Sequence, residues 1–138
     1  MMTTNDDISA IKGILKTIET SVHAVDYDNV RDLIPDDGVY FGSVAVQAKG
    51  YEELKQKQFT RVWPNVGEFS ITRDSIDIHL AGDTAWATCL FESTAKNATS
   101  EQSGARKGRM TFIFERRDEG WVIIHSHDSL YPEAPSSA

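Results

Sequence analysis

The apolar residues of this chain change period at Pro64, and that change limits the folds open to it more than any other feature. Before Pro64 they recur every three or four positions. Ile8, Ile11, Leu15, Ile18, Val22 and Val25 form one stripe, the pattern of a helix with a single buried face. After Pro64 they alternate. "EFSITRDSIDIHL" sets Phe69, Ile71, Ile76, Ile78 and Leu80 among polar residues, and "TAWATCLFESTA", "RMTFIFERR" and "GWVIIHSHDS" read as three further strands. "AGD" and "RDEG" supply the turns between them. Helices first and a meander of long strands after predict an α+β domain, with helices covering one face of an antiparallel sheet.

The shorter elements fit the same plan. Thr4 can cap the first helix, with Asp7 near its positive end. "YDNVRDLI" predicts a short helix capped by Asp26, burying Val30, Leu33 and Ile34 and closed by Pro35. "PDDG" is a turn, and "VYFGSVAVQA", split by Gly42, is a short strand pair or a bent strand. "YEELKQKQFTRVW" predicts a third helix with Tyr51, Leu54, Phe59, Val62 and Trp63 inside. "KNATSEQSGARKG" reads as a polar loop. No internal boundary appears, so residues 6–131 form one domain between tails at 1–5 and 132–138.

Composition removes several classes of function. The chain's 138 residues can bury a core without staples, and 40% hydrophobic with 25% charged residues is an ordinary balance. No apolar run approaches the roughly 18–20 residues of a membrane helix, and the first residues lack a signal-peptide layout. The expectation is a cytoplasmic protein with no membrane partner. A net charge of −7 argues against nucleic acid. The basic cluster "ARKGRM", with Arg106, Lys107 and Arg109, reads as a solvated hairpin end. Cys89 stands alone in an apolar strand, so it forms no internal disulfide, and nothing near it lowers a thiol pKa.

The residues that could carry chemistry gather in the last strand. His125 and His127 lie two apart and, by alternation, share a face with Trp121 and Ile123; Val122, Ile124, Ser126 and Asp128 fall on the other. Either histidine could exchange a proton near neutral pH. Two neutral imidazoles could also begin a zinc site, but no spacing joins His23, His79, Glu92 or Asp128 to them, so neither metal nor cofactor is expected. Asp36 and Asp37 read as turn acids. Since His127 and Asp128 point apart, a catalytic histidine would need its orienting acid from elsewhere, with Asp37 and Glu92 the candidates.

The order of "VDYDNVRDLIPDDGVYFG", "KGYEELKQ", "GDTAWATCLFE" and "GRMTFIFERRDEGWVIIHSHDS" resembles the SnoaL-like branch of the NTF2-like superfamily, over residues 6–131. The closing run, an arginine-led strand, a charged turn, then Trp121, His125, His127 and Ser129, is also similar to the association domain of calcium/calmodulin-dependent protein kinase II. The resemblance implies a cone: a curved antiparallel sheet wrapped around the long helix, with a pocket between sheet and helices. It also implies homodimers paired through the sheet. The family holds isomerases, cyclases, dehydratases and epoxide hydrolases beside non-catalytic binding and assembly domains, so fold alone does not select a function.

Carrying family residues across is informative mainly by what is missing. The base of the ketosteroid isomerases falls on Gly42, their oxyanion-hole tyrosine near Ile18 and their acidic partner near Met110; none of these moves a proton or stabilises an oxyanion. The pocket arginines of the kinase association domain fall on Phe91 and Phe112, which favours apolar ligands over acids. The resulting expectation is a homodimeric domain that binds a small, largely apolar molecule. Tyr40, Trp63, Phe91 and Phe112 would form the wall, and His127 would orient the ligand. One alternative is a lyase, isomerase or cyclase acting on a small carbonyl compound with His125 or His127 as acid–base. The other is an oligomerisation module with a filled pocket.

Overall fold

The computed structural model describes residues 3–96, 105–118 and 120–132, and opens on α1 (Thr4–Ala24). The cap is Thr3, not Thr4. Its hydroxyl accepts from the Asp6 amide at 3.1 Å, and the Asp6 carboxylate accepts from the Thr3 amide at 3.0 Å. The helix thus takes in residues 4 and 5 of the expected tail. Ile11 and Leu15 are fully buried and Val22 nearly so, each contributing about 1.5–3 kcal/mol. Val25 turns left-handed at φ 51° and ends the helix, while its side chain still packs against the core.

A 3₁₀ turn (Tyr27–Leu33) then buries Val30. Asp26 does not cap it; its amide instead donates to the Ser21 carbonyl at 2.9 Å, closing α1. The "VYFGSVAVQA" segment is a strand pair, β1 (Val39–Phe41) and β2 (Ala48–Lys49). The expected third helix is a composite. It runs as α2 (Gly50–Leu54), a π turn (Lys55–Phe59) and α3 (Thr60–Val62), and Gln58 of the π turn is buried.

The remaining strands are β3 (Val66–Ile71), β4 (Asp77–Ala81), β5 (Thr84–Ala95), β6 (Arg106–Arg117) and β7 (Gly120–Leu130). They form one sheet in the order β2-β1-β7-β6-β5-β3, with β4 also on β5. Among the described residues only β1 on β7 is parallel. The sheet curves without closing, and its concave face meets α1. Most of the polar loop, at 97–104, and the tail from 133 lie outside the described residues, as does Glu119 of the "RDEG" turn.

One irregularity decides which side chains face inward. Ile113 pairs with His125, but Phe114 pairs with Ile123, so Ile124 is an extra residue in β7. A bulge of one residue reverses the alternation. Trp121 and Ile123 face the core before it, and Ser126, Asp128 and Leu130 face the concave side after it. His125 and His127 therefore do not share a face with Trp121 and Ile123. They lie outside, and the expected phase of the strand is wrong from residue 125 onward.

Polar contacts fix α1 to the sheet at both ends. Near its start the Arg116 guanidinium grips Asp7 with two hydrogen bonds at 2.9 and 2.8 Å, and the Trp121 indole N–H donates to the same carboxylate at 3.3 Å. Near its end Glu19 accepts from the Ile71 amide at 2.8 Å, from Arg73 at 2.8 Å and from Lys16 at 3.1 Å. Burial pushes the Glu19 carboxyl up, but the Ile71 amide, Lys16 and Arg73 outweigh it and leave its pKa below the ordinary value. Glu19→Ala strands the buried Ile71 N–H and should cost about 2 kcal/mol in urea unfolding at pH 7. A lowered carboxylate pKa makes this contribution full above the ordinary glutamate range and lost as pH falls through the lowered value. The difference between wild type and variant should therefore shrink at pH 3.

Candidate functional site

The concave face of the sheet, α1 and the composite helix enclose a cavity of about 350 Å³, at the lower end of small-molecule sites. Its wall is aromatic because the inward positions of β5 and β6 are Phe91 and Phe112, and the helical side adds Trp63. Trp63 stacks on Phe59 with centroids 4.3 Å apart, and Phe69 tilts against Phe91 at 5.5 Å. Tyr40 lines the same space, but its hydroxyl donates to the Ile123 carbonyl at 2.6 Å and burial pushes its pKa up. It contributes surface, not a free donor.

The three positions onto which the isomerase residues fall, Ile18, Gly42 and Met110, also line the cavity. Gly42 has a reason to be glycine. A Cβ there would collide with the Gln58 amide, whose oxygen accepts from the Val44 and Ala45 amides at 2.9 and 2.8 Å and whose nitrogen donates to Ser43 at 3.0 Å. The space a base would need is filled by the side chain that folds the 42–47 loop.

The acid of this cavity is on another strand. Asp128 pairs with Met110 in register, and the Ile124 bulge turns its side chain inward. Among the described residues the carboxyl has no hydrogen-bond or ion-pair partner, and burial raises it to about 7. At neutral pH it stands between donor and acceptor forms. Cys89, across β6 from it, is held inert: burial, with the Asp128 charge second, pushes its thiol up to about 12.

The histidines lie elsewhere. His125 Nδ1 donates to the Val39 carbonyl at 2.6 Å, and His127 is exposed; both rings edge against Phe41, at 5.1 and 5.4 Å. His127 does not line the cavity and cannot orient a ligand there, and neither histidine can act as acid–base inside it. The acids expected to support them are also engaged away from the cavity. Asp37 is gripped by Arg117 at 3.1 and 2.9 Å, which holds its carboxyl below the usual range, and Glu92 lies 3.7 Å from Lys107. His23 binds the Phe69 carbonyl at 2.8 Å, and His79 stacks on Trp86 beside Asp77. Among the described residues no three His, Cys, Asp or Glu side chains gather as metal ligands.

Reading the strand by strict alternation misses Asp128 because "VII" is apolar on both phases and hides the extra residue. Only the register with β6 shows the skip, by which Ser126, Asp128 and Leu130 take up the inward phase.

No curated protein matches the chain significantly. Solved structures do. An NTF2-like superfamily protein from Salmonella enterica serovar Typhimurium superposes with a TM-score of 0.81 at 17% identity, covering 98% of each chain. An NTF2-like protein of unknown function from Pseudomonas putida KT2440 gives 0.78 at 22%, over 100% of this chain and 95% of that one. A Xanthomonas campestris protein provisionally named a calcium/calmodulin-dependent protein kinase II association domain gives 0.75 at 21%, over 96% and 91%. At these identities the likeness is one of fold, an NTF2-like α+β cone. The SnoaL-like domain model matches residues 11–133, most of the chain, and the protein belongs to that family.

Proposed function

We propose that this domain binds a small, largely apolar molecule in the cavity between sheet and helices, and that Asp128 fixes its orientation. The observation that carries the reading is a carboxyl with no partner among the described residues on the wall of a largely apolar cavity. A half-buried acid facing a cavity without a partner opposes folding when ionised, and such groups concentrate at functional sites. Asp128 replaces His127 as the polar contact. A ligand with one hydroxyl or N–H would donate to the carboxylate, and one with a carbonyl would accept from the acid. The exposed Trp86 and Leu90 on the outer sheet face support pairing of two copies there.

A second reading is favoured by the raised pKa: proton transfer on a small carbonyl compound, with Asp128 as general acid–base. It ranks below binding because candidate oxyanion donors are already engaged. Tyr40 is held by Ile123, and Gln58 by the 42–47 loop.

Two measurements test these readings. Titration with 1-naphthol should quench Trp63 fluorescence saturably, and Asp128→Leu should weaken that binding by roughly tenfold; a quench that never saturates, or that ignores the substitution, would overturn the binding reading. If turnover of a carbonyl compound is found, its rate should carry a limb near pH 7 that Asp128→Asn removes and His125→Ala or His127→Ala leaves in place.

Stability should move the other way. The Asp128 acid is raised in the folded chain, so between its ordinary value near ~4 and about 7 the unfolded chain releases a proton that the folded one keeps. Native stability therefore falls as pH rises through that window. Asp128→Asn removes the penalty. It should come close to wild type at pH 4 and exceed it at pH 8 in urea unfolding.

A further inference from the structure

The cavity reverses its charge between mouth and depth. Its depth holds the carboxyl of Asp128, whereas Arg61 and Arg106 both line the cavity and are exposed at its opening. Arg106 is the first residue of β6. Alternation with Gly108, Met110 and Phe112 puts it on the concave face, opposite Ser93, which also lines the cavity. Arg61 comes from α3 and is tied to the same edge. Its carbonyl accepts from the Asn65 side chain at 3.0 Å, and the Asn65 carbonyl accepts from the Lys96 amide just past the end of β5 at 2.8 Å.

Of the other arginines, Arg73, Arg116 and Arg117 are paired with carboxylates, those of Glu19, Asp7 and Asp37, while Arg109 donates to the Ser129 hydroxyl and Arg31 lies over the Tyr51 ring. Among the described residues Arg61 and Arg106 have no such partner. Between mouth and acid the floor is apolar. A Cβ on Gly108 would collide with the Phe91 ring, so Phe91 lies over that glycine and separates Arg106 from Met110 and Asp128. From Arg106 to Met110 the strand advances roughly 13 Å at about 3.3 Å per residue.

Building on the binding reading, we propose that the ligand is an amphipathic monoanion that enters tail first. Its apolar body lies against Trp63, Phe91 and Phe112, and its acidic head stays at the mouth between Arg61 and Arg106. Guanidinium groups suit a carboxylate or sulfate head, which they can grip by two hydrogen bonds each. The reverse orientation would put like charges together in a desolvated space once Asp128 ionises, so the two ends of the cavity enforce one direction. The phenylalanines that take the place of pocket arginines at depth fit the same polarity. An acid is excluded from the bottom of the cavity and accepted at its rim.

The test compares three probes with one apolar body, decanoate, decan-1-ol and decylamine, by titration calorimetry on the full chain below their aggregation limits. Decanoate should bind roughly tenfold tighter than decanol, with decylamine weakest, and its affinity should fall with added salt. The Arg61→Gln/Arg106→Gln double variant, altered only at exposed positions, should bring decanoate down to the affinity of decanol and leave decanol unchanged. Equal binding of decanoate and decanol to wild type, or a double variant that still prefers decanoate, would overturn the head-at-the-mouth proposal while the cavity reading stands. No binding of any probe would count against both.

Discussion

The sheet must bend around α1, and the extra residue at Ile124 is where β7 accommodates that bend. Two contacts from β1 hold the site, one on each face. From inside, Tyr40 donates to the carbonyl of Ile123; from outside, His125 donates to the carbonyl of Val39. The bulge is thus bracketed by hydrogen bonds between the same two strands. The inward aim of Ser126 and Asp128, the outward aim of both histidines and the composition of the cavity wall all depend on this one-residue offset. The histidine-rich end of β7 that looks chemical in the sequence is therefore a strand junction, with His125 as its outer fastening.

Most of the architecture is legible before any coordinates, because it rests on periodicity. Ile11, Leu15 and Val22 sit on one helical face and are buried, and the inward residues of β5 and β6 follow strict alternation from Ala85 to Phe91 and from Gly108 to Phe114. Tyr40, Trp63, Phe91 and Phe112 could be placed around a common space by their size and by the family resemblance. The bulge was not legible. Nothing in "VII" marks an extra residue, since every member suits a strand and no glycine interrupts it. The π turn was hidden for a related reason. It adds one residue to a helix without a proline or glycine, and only the burial of Gln58 reveals its effect. Both features are decided by tertiary packing, and both control which polar group meets the cavity.

The fate of the polar groups explains why one acid stands out. Asp7 and Asp37 each meet an arginine, and Glu19 meets the Ile71 amide, Lys16 and Arg73, so their carboxylates are stabilised and lie below their ordinary pKa values. Their work is structural: two anchor α1 to the sheet, and the third links the 36–37 turn to β6. Asp128 has the opposite setting. It sits among Met110, Phe112 and Leu130 with no ion-pair partner among the described residues, and its charged form is disfavoured. A sequence reading that weighs all acids alike cannot separate these cases, because the arginines that neutralise the first three are remote in the chain. Arg116 is 109 residues from Asp7 and Arg117 is 80 from Asp37.

The position of Asp128 also shows how a shared cone can change its chemistry without changing its shape. The resemblance puts an acidic residue of the isomerases near Met110, and in this chain Met110 is the direct cross-strand partner of Asp128. Neighbouring strands lie about 4.8 Å apart, so a side chain transferred from one to the next still reaches much the same part of the cavity. Such a transfer requires the receiving strand to present that position inward, which the Ile124 bulge achieves. It also frees the donor strand to carry an apolar residue. The loss at Gly42 has a separate cause, since Gln58 occupies the volume of any side chain there. The cavity therefore has a carboxyl beside the position that the resemblance gives to the isomerases' acid, and no side chain at the position that it gives to their base. A partly protonated acid on a largely apolar wall suits recognition of a single polar group, which is the physical ground of the binding proposal.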